Sequence, residues 1–335
     1  MLQKVTVLGG GGMGTACSIL LSEPQTRNVT LWMRNAGEAE DTARTRRNRK
    51  YLPEAPLSDR IDVTSDAARA LSDSDLIVVA IPTAFLRVTL SSLQQWIPSR
   101  CPVVSVVKGV ENRSFLRPSE IIADVWGARD IASLCGPSHA EEIGRRLPAS
   151  VVAAGTNLDF VKEVQALFTT DRFRVYTNVD ILGVELAAAL KNVLAIAAGI
   201  SDGLGYGDNA KSALLTRGIV EMTRFGAALG AQPETFAGLA GIGDLITTCF
   251  SRFGRNRRVG ERLGQGETLA EALTSITGIS EGVTTCESIH GLARARQIEM
   301  PIASEVYHVL FEGKSPLEAT NSLMLRPLRS ECRPV

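Results

Sequence analysis

Histidine, paired cysteines and an excess of charge of either sign are scarce or missing in this sequence of 335 residues. Only three histidines occur, so a zinc site built from imidazole ligands is not expected. The six cysteines form no Cys-x-x-Cys pair, which in a chain of this size indicates reduced, unpaired thiols in a cytosolic protein. They are Cys17, Cys101, Cys135, Cys249, Cys286 and Cys332. Lysine plus arginine and aspartate plus glutamate number 36 each, so no global field attracts nucleic acid or an anionic membrane surface.

An uninterrupted apolar run of membrane-spanning length is also missing. The nearest approach, residues 181–200, is interrupted by Glu185, Lys191 and Asn192, whereas a span needs ~20 predominantly apolar residues. We therefore expect a buried helix and no membrane insertion. The first residues pass directly into the apolar run Val5–Leu8, without the basic region and cleavage site of a signal peptide. A cytoplasmic location is expected.

Short β-branched apolar runs alternate with helical patterns over the first half of the sequence. The helical patterns include Ala84–Trp96 and Asp159–Phe168. The predicted strands are Val5–Leu8, Val29–Trp32, Ile61–Val63, Leu76–Ile81, Val103–Val107, Ile131–Cys135, Ser150–Ala154 and Arg174–Tyr176. This alternation predicts an α/β fold with a parallel, doubly wound sheet of the Rossmann type.

After Asn178 the strand patterns stop and helical patterns follow. The predicted helices are Ile181–Ile200, Asn209–Leu229, Thr268–Ser275 and Pro316–Leu328. Gly230 comes just after the second of these and is a typical helix stop. The chain is therefore predicted to consist of an NAD(P)-binding Rossmann domain, residues 1–177, and an all-helical substrate and catalytic domain, residues 178–335.

A glycine-rich segment follows the first predicted strand directly. Gly9, Gly11 and Gly14 form the pattern G-x-G-x-x-G, and a helical pattern opens at Thr15. In dinucleotide-binding folds the first glycine makes the tight turn, the second admits the pyrophosphate and the third lets the helix pack on the strand. The order strand, motif, helix is what makes this signal specific, and the alternative is a glycine-rich turn without a ligand.

The end of the second predicted strand bears on which dinucleotide is bound. Sites specific for NAD usually place a carboxylate there to hold the ribose hydroxyls, but this sequence continues Trp32-Met33-Arg34-Asn35. Arg34 suits a ribose phosphate, which favours NADPH over NADH. The alternative is a solvated arginine at the end of a strand.

One lysine lies in the middle of an apolar helical pattern. Residues 186–196 are apolar around nearly the whole helix, apart from Lys191 and Asn192. A buried lysine loses hydration, so its pKa falls towards the range of a general acid or base. The alternatives are a lysine that extends to the surface or one that pairs with Glu185.

Further polar groups follow predicted strands or gather in the second half. Lys108 follows the fifth strand, where open α/β sheets bind ligands, although a surface lysine is an equal alternative. Ser138 follows the sixth strand, and the alternative to a site role is capping of the next helix. Residues 252–258 concentrate arginines whose guanidinium groups match phosphate oxygens, and a solvated basic helix start is the alternative.

Together these motifs resemble one family along almost the whole chain, the bacterial-type NAD(P)-dependent glycerol-3-phosphate dehydrogenases. The resemblance rests on the order and spacing of many short motifs. They are Gly9–Ala16, Leu31-Trp32, Lys108-Gly109, Gly136–Ala140, Lys191–Val193, Asn209–Lys211, Thr216–Gly218, Gly241–Thr248, Arg255–Arg258, Glu281-Gly282, Leu323-Met324, Arg326 and Glu331.

The resemblance implies roles for individual positions. Lys191 matches the catalytic lysine that donates the proton in reduction, and Lys108 matches a lysine that contacts both substrate and cofactor. The implied substrate-binding residues are Lys108, Gly136, Ser138, Lys191, Asn192, Asp244, Thr248, Arg255 and Asn256. The implied cofactor-binding residues are Gly9, Gly11, Gly12, Met13, Gly14, Arg34, Lys108, Ala140, Arg255, Ile279 and Glu281. No metal site is implied.

Two positions depart from the family pattern. Gly254 stands where a serine that contacts substrate is common, so that contact would pass to the backbone or to water, with an effect on affinity. Met13 replaces a frequent aromatic residue, and its flexible thioether is a plausible substitute.

The resemblance implies reduction of dihydroxyacetone phosphate to sn-glycerol 3-phosphate with NADPH or NADH, in the supply of glycerol 3-phosphate for phospholipid synthesis. It also implies a homodimer. One alternative is a related β-hydroxyacid dehydrogenase, against which the basic segment Arg255–Arg258 favours a phosphate over a bare carboxylate. A second alternative, a nicotinamide-binding sensor without catalysis, is disfavoured by Lys191, Lys108 and Asp244.

Overall fold

The computed structural model describes residues 3–23, 27–251, 253–274, 276, 278–328 and 330–331. Arg252, Ser275 and Cys332, which entered the predictions above, lie outside these residues. Within them, ten strands form two sheets. The strands are β1 (Lys4–Leu8), β2 (Asn28–Trp32), β3 (Arg47–Asn48), β4 (Leu52–Pro56), β5 (Ile61–Thr64), β6 (Leu76–Val79), β7 (Val103–Ser105), β8 (Ile131–Cys135), β9 (Ala149–Gly155) and β10 (Phe173–Asn178).

All eight predicted strands are confirmed, and they form one sheet. Its order is β10-β9-β8-β7-β6-β1-β2-β5, and β6 and β7 end two residues earlier than the patterns suggested. The inner strands β1, β6, β7 and β8 are almost wholly buried and together rich in valine, leucine and isoleucine, as expected for a sheet covered by helices on both sides. The edge strand β10 instead alternates buried and exposed residues over its first four positions. The small second sheet, the antiparallel hairpin of β3 and β4, was not predicted.

One strand pair departs from the parallel arrangement. β9 runs antiparallel to β8, and β10 then pairs with β9 in parallel. The connection from β8 to β9 contains only the five-residue helix α6 (Ala140–Gly144), which packs against the first helix of the chain and against β4. A parallel crossover usually needs a longer helix laid across the sheet, so this short connection returns the chain in the opposite direction.

The helices of the sheet-containing part connect successive strands. The other helices of this part are α1 (Gly12–Leu21), α2 (Ala36–Thr45), α3 (Ala67–Leu71), α4 (Thr83–Leu93), α5 (Pro118–Trp126) and α7 (Leu158–Phe168), with a 3₁₀ turn at Gln94–Trp96 after α4. The predicted helices Ala84–Trp96 and Asp159–Phe168 are confirmed by α4 with its 3₁₀ turn and by α7.

No strand follows β10 in the described part of the chain, and the remainder is helical. Its helices are α8 (Ile181–Gly203), α9 (Asp208–Ala228), α10 (Pro233–Phe236), α11 (Asp244–Phe250), α12 (Arg255–Gly264), α13 (Leu269–Thr274), α14 (Glu281–Ala295), α15 (Pro301–Phe311) and α16 (Pro316–Met324). A π-helical turn, Leu239–Gly243, leads into α11. Gly230, with φ of +96°, follows α9 as predicted. The last helix ends at Met324, four residues before the predicted end.

The central helix α8 is the core of the helical part. By length and composition it is the one described helix that would suffice to cross a membrane, but 89% of its most apolar window is buried inside the protein. The prediction of a buried helix over residues 181–200 is therefore confirmed. Its apolar side chains pack with those of α9, α11, α12, α14 and α15 in one continuous core.

Two helices approach each other unusually closely because glycines line their contact. A Cβ added to Gly199 on α8 would lie 1.9 Å from the carbonyl oxygen of Arg257 on α12. A Cβ added to Gly260 on α12 would lie 2.0 Å from the carbonyl oxygen of Ile196 on α8. No side chain fits between the two backbones, so this contact fixes α12 at a set height along α8. Asn256, the second residue of α12, is close to Asn192, because a Cβ added to Gly282 would lie 2.7 Å from the Asn192 carbonyl oxygen and 2.8 Å from Asn256 Oδ1.

Candidate active site

The glycine-rich loop has the shape that a dinucleotide pyrophosphate needs. Gly9 turns the chain with φ of +117°, and a Cβ added to Gly14 would lie 1.9 Å from the Gly9 carbonyl oxygen. Gly11 precedes α1 in an extended conformation, and an added Cβ there would have no heavy atom of the described residues within 4 Å. The first amides of α1 therefore lie beside open space, where the helix dipole favours an anion. The loop fits the group that the sequence predicted.

The end of β2 carries a cation, as the sequence suggested. Arg34 is exposed, and its guanidinium carbon lies 5.8 Å from the centre of the Phe85 ring. Asn35 accepts a hydrogen bond from the Glu38 amide at 2.9 Å and so caps α2. Glu38 is paired with Lys50 at 2.7 Å. The strand tip itself offers an arginine and no carboxylate.

Three charged side chains meet where the sheet faces the helical part. Lys108 comes after β7, while Lys191 lies in α8 and Asp244 opens α11. The Asp244 carboxylate accepts a hydrogen bond from the Lys108 ammonium at 2.7 Å and from the Lys191 ammonium at 2.9 Å, one on each oxygen. Thr248, one turn after Asp244, accepts a bond from Lys191 at 2.6 Å. Two cations share one anion, so the cluster carries a net positive charge.

Burial and mutual charge set the proton affinities of this cluster. The pKa of Lys191 falls to about 8 because burial disfavours its charged form, which Asp244 opposes and Lys108 reinforces. Burial also acts to lower the pKa of Lys108, but the attraction of Asp244 outweighs it and the pKa is raised. Burial acts to raise the pKa of Asp244, and the two lysines outweigh it, so that pKa is lowered. Lys191 is thus the cation of the cluster that gives up its proton most readily.

The two alternatives for Lys191 are wrong. Its side chain is only 7% exposed, so it does not extend to the surface. Glu185 faces elsewhere, accepting hydrogen bonds from the Ser119 amide at 2.9 Å and from Arg117 at 2.6 Å. Glu185 thereby ties α8 to the start of α5.

The segment after β8 contributes backbone oxygen and polar side chains to the same place. Lys108 donates to the Gly136 carbonyl at 3.2 Å, and the Ser138 hydroxyl donates to the same oxygen at 2.8 Å. Ser138 is therefore not the N-cap of α6, a position that His139 occupies. Met13, which follows the four glycines of the loop, lines one small and mainly apolar cavity together with Lys108 and Ser138.

His139 is a site residue that the sequence did not identify. Its Nε2 atom is buried without a hydrogen-bond partner among the described residues, and its ring lies 5.9 Å from that of Phe253. Burial lowers its pKa, and Lys191 and Lys108 lower it further, so the ring is neutral near pH 7. A single histidine in a helix start gave no signal of this environment.

A second group of predicted residues gathers at the start of α12. The Asn256 carbonyl oxygen accepts bonds from the Ser280 hydroxyl at 2.6 Å and from the Gly282 amide at 3.0 Å, which leaves its amide nitrogen as the donor for a ligand. Arg255 is exposed, and its guanidinium lies against Gly278. Ile279 is half-buried just beside them.

Glu281 joins the two groups. It opens α14, burial raises its pKa, and Arg255 is the cation that most opposes this rise. Ala140 approaches the glycine-rich loop from the other side, 3.3 Å from a Cβ added to Gly12. The electrostatic effects of Lys108 and Lys191 on Glu281, beside that of Arg255, place the start of α12 close to the lysine cluster.

Gly254, which stands where the family commonly has a serine, has little room for a side chain. A Cβ added to Gly254 would lie 2.8 Å from the Thr248 carbonyl oxygen and 3.2 Å from that of Ser251. A serine would fit here only after a shift of the backbone.

Comparison with known proteins identifies the family of this chain. The model of the NAD-dependent glycerol-3-phosphate dehydrogenase N-terminus matches residues 4–161, and that of its C-terminus matches residues 180–321. This chain belongs to the NAD-dependent glycerol-3-phosphate dehydrogenase family. The resemblance noted in the sequence is confirmed, and so is its fold, a Rossmann-type sheet followed by a helical part.

Individual members of the family are similar over nearly the full chain. A glycerol-3-phosphate dehydrogenase [NAD(P)+] from Thermoanaerobacter sp. (strain X514) is 44% identical, with 98% of this chain and 99% of the relative covered. The protein of that name from Pelotomaculum thermopropionicum is 45% identical, with 97% and 94% covered. The crystal structure of glycerol-3-phosphate dehydrogenase from Coxiella burnetii superposes with a TM-score of 0.93 at 35% identity, covering 97% of this chain and 99% of that one.

Proposed function

We propose that this protein reduces dihydroxyacetone phosphate to sn-glycerol 3-phosphate with NADPH or NADH, and that Lys191 donates the proton. The observation that carries this is the buried cluster of Lys191, Asp244 and Lys108 at the carboxyl edge of the sheet, next to a loop shaped for a dinucleotide. In open α/β sheets ligands bind at this edge. When bound, the reduced nicotinamide supplies the hydride that the ketone carbon accepts.

Lys191 is suited to the proton transfer by its environment. With a pKa of about 8 it is mostly protonated near pH 7, yet it releases the proton more readily than an ordinary lysine. Thr248 and Asp244 fix the direction of its ammonium group through bonds of 2.6 and 2.9 Å. The proton passes from Lys191 Nζ to the carbonyl oxygen as charge develops there.

Lys108 and Asp244 act on charge and orientation. Lys108 keeps its proton because Asp244 raises its pKa, so it remains a cation throughout and stabilises the developing negative oxygen. Asp244 accepts from both lysines and holds their nitrogens on one carboxylate. A preorganised pair of this kind needs little rearrangement when the substrate arrives.

The start of α12 is proposed to hold the substrate phosphate. Arg255 offers its guanidinium group and Asn256 offers its amide nitrogen as hydrogen-bond donors. The first backbone amides of α12 form the positive end of the helix dipole, which also favours an anion. Because α12 is locked against α8 by glycine contacts, the phosphate site stays at a fixed distance from Lys191. The donors and the positive charge at the start of α12 support a phosphorylated substrate over a bare carboxylate.

The remaining parts of the proposal follow from family and surface. We propose NADPH as the preferred cofactor because Arg34 stands at the strand tip. We also propose two domains, residues 1–177 and 178–335, whose boundary falls at the last residue of β10, shortly before α8. A homodimer is proposed from the family resemblance and from exposed apolar side chains near the end of the chain, such as Leu317 and Met324. A cytoplasmic location and a role in phospholipid supply complete the proposal.

A comparison of substrates tests this function. Oxidation of NADPH is followed with dihydroxyacetone phosphate, with unphosphorylated dihydroxyacetone and with a β-keto acid. The proposal expects rapid turnover with the first substrate only. Preference for the keto acid would contradict it in favour of a β-hydroxyacid dehydrogenase, and tight cofactor binding without turnover on any of them would indicate a sensor.

A further inference from the structure

The glycine-rich loop has no side chains that could fix its own shape. Gly9 to Gly12 are four glycines in succession, and such a segment has more backbone freedom than any other sequence. A loop that binds phosphate through its amides must nevertheless hold each amide in one direction before the ligand arrives. The residues that hold it must therefore come from elsewhere in the chain.

Asn48, in the unpredicted hairpin of β3 and β4, holds this loop. Its side-chain Nδ2 donates to the Gly10 carbonyl oxygen at 2.8 Å and to the Thr15 hydroxyl at 2.8 Å. Its Oδ1 accepts from the Tyr51 amide at 3.3 Å. Asn48 is 2% exposed, so these bonds form away from competing water.

Thr15 extends the contact to the next peptide. Its hydroxyl accepts from Asn48 and donates to the Gly11 carbonyl oxygen at 2.9 Å. Asn48 thus holds the carbonyl of Gly10 directly. Through the Thr15 hydroxyl it also supports the carbonyl of Gly11, which accepts from the Thr15 amide at 3.0 Å as well.

The geometry of the peptide bond turns this into control of the amides. In a trans peptide the N–H group points opposite to the carbonyl of the preceding residue. The bond from Asn48 to the Gly10 carbonyl therefore directs the Gly11 N–H away from the hairpin. Gly11 is also the position where an added Cβ would meet no heavy atom of the described residues within 4 Å.

The hairpin is itself braced against the surrounding elements. A Cβ added to Gly144 on α6 would lie 2.8 Å from the Ala55 Cβ of β4, so strand and helix are in close contact. Lys50, at the hairpin turn, pairs with Glu38 of α2 at 2.7 Å. These contacts hold the hairpin, and with it Asn48, in a fixed position.

We propose that Asn48 is a positioning residue for dinucleotide binding, which sets the Gly10–Gly11 peptide so that the Gly11 amide faces the cofactor pyrophosphate. This inference rests on the proposed function, because it requires a dinucleotide at the loop. Asn48 acts on the pyrophosphate site, which NADPH and NADH share, so it affects both cofactors alike. It takes no part in proton transfer or in substrate binding.

The experiment measures binding by the fluorescence of NADPH and of NADH, without substrate, in the parent and in Asn48→Asp. The aspartate has nearly the same shape but cannot donate to the Gly10 carbonyl. Because its negative charge would also repel the pyrophosphate, the uncharged Asn48→Leu, which lacks the donor too, is measured beside it and should show the same loss. We expect the Kd of both cofactors to rise about tenfold, the loss of one or two buried hydrogen bonds to the loop. At saturating cofactor, kcat and the KM for dihydroxyacetone phosphate should stay within about twofold of the parent, a range well below one tenfold step.

If circular dichroism shows that Asn48→Asp does not fold, two variants of Thr15 test the same inference. Thr15→Val removes the relay hydroxyl and should weaken both cofactors, whereas Thr15→Ser keeps the hydroxyl and should restore parental binding. Unchanged Kd values in folded Asn48→Asp or in Thr15→Val would overturn the inference, as would a loss of kcat as large as the loss of affinity. If the parent itself binds neither dinucleotide, it is the proposed function that fails.

Discussion

Lys191 on α8 and Asp244 on α11 form an ion pair of 2.9 Å whose side chains are only 7% and 3% exposed. Such burial is costly for each charge alone, and the pair persists because Lys108 and Thr248 complete its hydrogen bonds. The balance leaves Lys191 with a pKa of about 8, in the range where a general acid works near neutral pH.

This pKa predicts opposite pH profiles for the two directions of reaction. Reduction needs protonated Lys191, so kcat should be level at lower pH and fall as the pH rises through about 8. Oxidation of glycerol 3-phosphate needs the neutral amine, so its kcat should rise over the same range. The measurement is kcat against pH in both directions at saturating substrates. Asp244→Asn removes the charge that raises the Lys191 pKa and should move the limb of the reduction profile to lower pH. Profiles that fall or rise together would contradict the assignment.

Arg255 should contribute to substrate affinity more than to chemistry. Arg255→Ala removes the guanidinium at the start of α12, and we expect the KM for dihydroxyacetone phosphate to rise about tenfold or more, as for loss of a charge-assisted bond. The effect on kcat should be smaller. Arg258→Ala, an exposed arginine on the same helix, is the matched control and should leave KM unchanged. Equal effects of the two variants would point to a general electrostatic attraction.

Arg34 should distinguish the two cofactors. Its guanidinium is exposed at the end of β2 beside Phe85, where a ribose phosphate can reach it. Arg34→Ala should raise the Kd for NADPH about tenfold or more, the loss of a charge-assisted contact, and leave that for NADH nearly unchanged. Titration of both cofactors tests this, with Arg44→Ala on α2 as a control. Equal losses would remove Arg34 from the choice of cofactor.

The contact of α8 with α12 should be sensitive to a single methyl group. A Cβ at Gly199 would lie 1.9 Å from the Arg257 carbonyl oxygen, so Gly199→Ala must separate the helices. We expect a loss of about 1–3 kcal/mol in the free energy of unfolding, typical of overpacking, together with a higher KM for substrate. Gly37→Ala in α2 is the control, because its Cβ would make an ordinary contact of 3.5 Å with Asn35. If Gly199→Ala were as stable as Gly37→Ala, the two helices would be able to move apart at little cost, which would contradict this prediction.

Much of the fold could be predicted because its signals are local. Most strands of the large sheet are short and mainly apolar runs, and the packing of such runs against helices on both faces needs nothing beyond their composition. The hairpin of β3 and β4 gave no such signal, since it is short, contains Pro53 and Pro56, and exposes three of the five residues of β4 without a regular alternation. The reversed direction of β9 depends on the length and packing of one connection, which strand patterns do not encode.

The catalytic residues could be predicted to different degrees. Lys191 stood out because a charge within an apolar helix needs a reason, and Lys108 because it follows a strand of a parallel sheet. Their common partner Asp244 came from family resemblance alone, since it lies 53 residues beyond Lys191 in the chain. Asn48 could not be predicted, because its contact with Gly10 spans 38 residues and depends on the hairpin.

The most direct test of the central claim is the oxidation of NADPH by dihydroxyacetone phosphate in the parent and in Lys191→Ala, with cofactor binding measured in parallel. Lys162→Ala, an exposed lysine on α7, serves as the control. We expect rapid oxidation by the parent and the control, and a loss of kcat of about 10²–10⁴-fold in Lys191→Ala with the Kd for NADPH nearly unchanged. Near-normal turnover by Lys191→Ala would contradict it.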